Sequence, residues 1–102
     1  MKRITALFLA AVLLLSLAAC GAKDAWQEQY DLGMRYLNDG NYEEAVIAFT
    51  AAIEIDPKRS EAYLGAAEAY IAADDIDAAI AILEKGYAAT NNDTLKKRLD
   101  EI

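Results

Sequence analysis

The stretch from Trp26 to Pro57, WQEQYDLGMRYLNDGNYEEAVIAFTAAIEIDP, decides the fold. Leu32, Tyr36 and Leu37 share one face of a helix, and Ala45, Phe49, Ala52 and Ile53 share one face of a second. Between them lies Asn38-Asp39-Gly40-Asn41. Gly40 can take the left-handed conformation that ends the first helix, and Asn41 is placed to cap the second. Asp24 with Gln27 makes a capping box for the first helix, and Pro57 stops the second. The small residues Gly33, Ala45 and Ala52 let two helices approach closely, with Tyr36 and Phe49 expected to fill the space between them.

The pattern then repeats. At an offset of 34 residues Tyr36 meets Tyr70 and Ala45 meets Ala79, with Leu37 on Ile71, Val46 on Ile80 and Phe49 on Leu83. Asp74-Asp75 stands where Gly40-Asn41 stood. Asp tolerates the left-handed region less well than Gly, so this second turn is expected to be the weaker one. Beyond Asn91-Asn92, Leu95, Leu99 and Ile102 mark one face of a further amphipathic helix. It reads as a helix that covers the end of a stack, or as the start of a truncated third repeat.

With a 34-residue period, Leu32-Gly33, Tyr36, Ala45, Phe49, Ala52 and Pro57, the first unit resembles the tetratricopeptide repeat family. One departure is Gln29 at the family's tryptophan position, with Trp26 one turn earlier; in the second unit Gly86 replaces a small Ala and Asn91 the Pro. The resemblance implies an all-α fold, a TPR-type α-solenoid of two helix–turn–helix repeats plus a C-terminal capping helix. The expected boundaries are residues 25–59 for the first repeat, 60–93 for the second and 94–102 for the cap. It also implies an inner groove lined by the first helix of each unit. Carried over residue by residue, that groove comprises Gln27, Tyr30, Met34 and Asn38, then Glu61, Leu64, Glu68 and Ile71. Tyr30, Met34 and Gly65 stand where the chaperone-binding members hold a peptide's terminal carboxylate, so no such clamp is expected. The mixed surface implies a protein or peptide partner with apolar and basic residues. Such arrays usually need about three repeats to bury a continuous core, so modest stability and weak self-association are expected.

The N-terminus carries a different message. Lys2 and Arg3 precede sixteen uncharged residues, Ile4 to Ala19. A membrane-spanning helix takes about 20 apolar residues, so this run suits a cleavable signal peptide. It ends in Leu17-Ala18-Ala19-Cys20-Gly21, which resembles a bacterial lipoprotein lipobox. The resemblance implies a signal peptide over residues 1–19, lipidation of Cys20 and a short tether over 20–24. Acyl chains at ~0.8 kcal/mol per buried CH₂ would anchor the chain to the extracytoplasmic side of a bacterial membrane.

Composition excludes several functions. The chain has 102 residues, one Cys and no His, which removes His-dependent catalysis, Cys₂His₂ zinc sites and internal disulfides. Without Lys2 and Arg3, eight basic residues face 17 acidic ones, a formal charge of −9 for residues 20–102. That balance disfavours nucleic acid and anionic lipid faces. The Asp74, Asp75, Asp77 cluster reads as a turn and a helix start rather than a cation site, since it lacks the remaining ligands of a calcium loop. No phosphate-binding loop is present, and neither a cofactor nor an enzymatic activity is expected. Two functional classes are therefore in view. One is a membrane-anchored, non-catalytic protein-interaction module of the cell envelope. The other is a structural, self-associating N-terminal module of a larger lipoprotein.

Overall fold

The computed structural model describes residues 24–102; the expected signal peptide and lipobox, with Cys20, lie outside the described residues. Five helices follow one another: α1 (Ala25–Asn38), α2 (Tyr42–Ile55), α3 (Glu61–Ala72), α4 (Ile76–Thr90) and α5 (Asp93–Glu101). No strand occurs among the described residues. Each helix packs on the next, and α1 also touches α3. Neighbours in sequence are thus neighbours in space, with α1 and α3 brought side by side and α2 on their outer flank. This is the solenoid arrangement expected from the repeat.

The turn inside each repeat closes in the same way. After α1, Gly40 has φ +82°, its N–H donates to Leu37 O and the N–H of Asn41 donates to Tyr36 O at 2.8 Å. After α3 the same closure recurs: Asp74 has φ 63°, its N–H donates to Ile71 O, and the N–H of Asp75 donates to Tyr70 O at 2.8 Å. Both are Schellman-type endings that satisfy carbonyls left over by the helix. Asp74 adopts there a backbone that normally costs a residue with a Cβ about 1 kcal/mol or more. The expected helix starts are only partly realised. Asp24 accepts the N–H of Gln27, but the Gln27 amide reaches forward to Asp31 instead of closing a capping box. Asn41 makes no side-chain cap, whereas Asp75 accepts the N–H of Ala78 at the start of α4. Two contacts tie the connection between the repeats to the end of α4 and the turn after it. Lys58 donates to the carbonyl of Ala89 at 3.2 Å, and Asn92 donates to the Ser60 hydroxyl at 3.1 Å.

The core runs down the middle of the stack. Phe49, Tyr63, Leu83 and Leu95 are its largest fully buried side chains, set among Ala45, Ala52, Ala62, Ala66 and Ala79. The glycines explain how Phe49 gets there. A Cβ at Gly33 would lie 2.7 Å from its ring, and one at Gly65 would lie 2.5 Å from it. The ring of α2 therefore sits directly against the backbones of α1 and α3. Tyr36 and Tyr70 do not share this position. Both are only half-buried, packed against the edge of the core. The 34-residue register gives them the same face but not the centre, because Phe49 and Tyr63 already fill it.

Tyr63 ties the second repeat to the first. Its hydroxyl donates to the Pro57 carbonyl at 2.8 Å while its ring is 1% exposed. Burial, and then the charge of Asp56, push the phenol above its ordinary 10.0. The folded protein thus holds its proton more tightly than the unfolded chain does. The associated stability is fully present below pH 10 and is lost as pH rises towards the folded value. Tyr63→Phe is expected to cost about 1 kcal/mol at neutral pH, the worth of one hydrogen bond. It should also flatten the fall in stability above pH 10, as read by urea titrations monitored by circular dichroism at a series of pH values.

Candidate functional site: the inner face of α1 and α3

Residues of α1 repeat at 3.6 per turn, so Gln27, Tyr30, Met34 and Asn38 fall on one face while Gln29, Leu32 and Tyr36 fall roughly opposite. α1 and α3 touch, and Glu61 at the start of α3 lies near enough to Tyr30 for its charge to act on the phenol. The inner face is uneven in character. Tyr30, Met34, Leu64 and Ile71 are half-buried and pack against the core, so each presents only part of its side chain. Gln27 is half-buried, with its amide bound to Asp31 at 2.8 Å. Asn38 and Glu61 are exposed.

Tyr30 is the best-positioned of the apolar residues. Its ring stacks on Trp26 at 4.9 Å and 10°, and meets Phe49 at 5.7 Å in a tilted contact. Arg59, from the loop between the repeats, lies 4.6 Å from the centroid of the Trp26 ring and pairs with Asp24 and Asp56. The Trp26 indole N–H is buried with no hydrogen-bond acceptor among the described residues. Burial raises the Tyr30 phenol above its ordinary value, and the negative charges of Glu61 and then Asp31 raise it further. Tyr30 and Glu61, from different helices, therefore act on one patch of surface. Glu61 makes no ion pair or hydrogen bond among the described residues and is available to a cation.

Glu68 is different. Expected as an open acid, it receives the guanidinium of Arg98 from α5 in a forked contact, Nε to Oε1 at 2.6 Å and Nη2 to Oε2 at 3.3 Å. Arg98 also reaches Glu101 at 3.4 Å, and the bond to Glu68 is the main cause that lifts its own pKa. Such a fork holds both groups in plane and neutralises the acid. Arg98 is the inner-face residue that sequence reasoning passed over. A signal for it existed, since Tyr30, Leu64 and Arg98 are spaced by 34 residues each and share one register position. The face is thus an apolar strip with one open acid, Glu61, at one side and a satisfied Arg98–Glu68 pair at the other.

No group of three or more His, Cys, Asp or Glu side chains among the described residues is placed to hold a metal ion. No described helix is long and apolar enough to cross a membrane. The face offers shape, apolar area and charge for binding a segment of protein.

Comparisons with known proteins agree with the architecture. Residues 36–99 match the profile of the family described as "Tetratricopeptide repeat". A curated protein named "Protein SGT1 homolog", from Oryza sativa subsp. japonica, is 38% identical over 82 residues. The alignment covers 79% of this chain and 22% of that relative, so the chain spans under a quarter of its length. The period, the helix order and the matched profile coincide on one conclusion: this chain belongs to the tetratricopeptide repeat family.

Proposed function

We propose that the chain is a lipid-anchored, non-catalytic interaction module that holds a segment of a partner protein on the inner face of α1 and α3, at the extracytoplasmic side of a bacterial membrane. The carrying observation is the apolar strip of half-buried Tyr30, Met34 and Leu64 on two helices, with the exposed acid Glu61 on the second of them. Tyr30, Met34 and Leu64 supply apolar area, and Glu61 selects a Lys or Arg on the partner. Glu68 contributes less to that selection, because Arg98 already neutralises it. Anchoring rests on the Leu17-Ala18-Ala19-Cys20 box, and the short tether that follows keeps the repeats close to the bilayer.

The two halves of the proposal are tested separately. Cys20→Ala is expected to stop incorporation of labelled fatty acid and to leave an unprocessed precursor; unchanged labelling refutes the anchor. For the groove, a photo-reactive residue at the exposed position 38 captures the partner in intact cells. With that partner purified, Glu61→Gln should lower the association rate and flatten its dependence on salt, as loss of an exposed interfacial acid does. Glu68→Gln should lower the rate as well, because it leaves the Arg98 guanidinium uncompensated on a face that selects a basic partner. An association rate and salt slope unaltered by Glu61→Gln would sink the groove assignment.

A further inference from the structure

The most exposed large apolar side chain described is on the opposite side of the molecule. Ile47, in the middle of α2, is 69% exposed. The buried face of α2 is Ala45, Ala48, Phe49, Ala52 and Ile53. At 100° per residue Ile47 points directly away from it. The repeat does not demand an isoleucine here. Ala81 holds the same register position in α4 and is likewise exposed, so a small residue serves the fold.

A hollow lies on each flank of Ile47. One, of about 400 Å³, is lined by Tyr42, Val46 and Tyr70, with Glu43 and Asp75 at its rim. The other, of about 170 Å³, is lined by Leu32, Tyr36 and Ala48, with Glu44 at its rim. These are the hollows that the half-buried Tyr36 and Tyr70 border, which gives the two outward tyrosines a surface role. No Lys or Arg lines either hollow, and Glu43 and Glu44 make no ion pair or hydrogen bond among the described residues.

We propose that this outer face is a second docking surface, distinct from the inner groove, and that its occupant is a basic amphipathic segment of a protein partner. Two apolar side chains of that segment straddle Ile47 and enter the two hollows, while Lys or Arg residues beside them meet Glu43, Glu44 and Asp75. Charge complementarity selects this occupant over a second copy of the chain. Two copies meeting at Ile47 would set the three acids of each against those of the other, in chains of net charge −7. Like charges juxtaposed at an interface are strongly unfavourable.

The test uses the isotopically labelled full chain and two designed peptides of about 14 residues, four helical turns. Both share one amphipathic pattern of Leu with either Lys or Glu. The Leu/Lys peptide is expected to bind saturably and to shift amide resonances of residues 43–48 and 70–75. Ile47→Asp should weaken that binding roughly tenfold or more. That change adds an acid, so a purely electrostatic attraction would grow stronger instead. The fold should persist, because Ile47 is mostly in water already. Glu43→Gln with Glu44→Gln should weaken the binding read at residues 43–48 and 70–75 and flatten its salt dependence, while Glu61→Gln on the inner face should leave the shifts at those residues unchanged. That last variant separates this surface from the groove. The proposal is overturned by any of four results: no saturable shifts at residues 43–48 and 70–75, equal shifts there with the Leu/Glu peptide, undiminished shifts there in Ile47→Asp, or a concentration-dependent dimer that Ile47→Asp abolishes.

Discussion

Phe49→Ala is expected to lower the unfolding free energy by about 3–5 kcal/mol. Phe49 is fully buried, and its ring is the element that α1, α2 and α3 have in common. Removing it loses the transfer free energy of the ring and leaves a cavity. That cavity cannot readily collapse, because two of its walls are the helix backbones at Gly33 and Gly65. Domains are stable by only about 5–15 kcal/mol in total, so this one change removes a large part of what holds the stack together. Tyr36→Ala should cost clearly less, since Tyr36 is half-buried at the rim of an outer hollow. Thermal unfolding followed by circular dichroism distinguishes the two. For a domain of this size each kcal/mol moves the midpoint by about 4–8 °C. If Tyr36→Ala proves as damaging as Phe49→Ala, the central place given to Phe49 is mistaken.

The second large effect concerns α5. Leu95 is 1% exposed and lies over Gly86, where an added Cβ would come within 2.8 Å of it. Leu99 is half-buried beside the same core. Leu95→Ala is expected to destabilise the protein by about 2–5 kcal/mol. The ion pair that joins α5 to α3 should count for much less. The Arg98 and Glu68 side chains are 26% and 38% exposed, and solvent-screened pairs are typically worth about 1 kcal/mol or less. Arg98→Gln should therefore shift the urea midpoint only slightly, while Leu95→Ala shifts it strongly. The reverse order would mean that charge, not apolar burial, fastens α5. The comparison also matters for function. Arg98→Gln releases Glu68 as a second open acid on the inner face, without unfolding the helix that carries Arg98.

Much of this molecule is legible along the chain. The 34-residue recurrence, the apolar stripes of α1 and α2, and the punctuation by Gly40 and Pro57 are local features, each with a local physical cause. Helix periodicity follows from 3.6 residues per turn, and Gly40 ends α1 because a residue without a Cβ enters the left-handed region cheaply. The equivalence of Asp74 to Gly40 could be read in the same way, and both residues do adopt positive φ. The inner-face residues share a helical side for the same reason. Periodicity therefore determined the helices, their order and the residues on each face.

What only the tertiary structure decided is which face meets which neighbour, and at what distance. Tyr36 and Phe49 are equally good core candidates in a one-dimensional pattern. Phe49 takes the centre because two glycine-bearing backbones close on it, while Tyr36 is left at an outer rim. Glu68 looks like an open acid until α5 brings Arg98 to within 2.6 Å of it, across 30 residues of sequence. Ile47 looks like one more apolar residue of α2 until the packing turns it to solvent between two hollows. In each case the deciding quantity is a distance between helices. That distance is set by the summed volumes of the side chains packed between them, and no local stretch of sequence contains it.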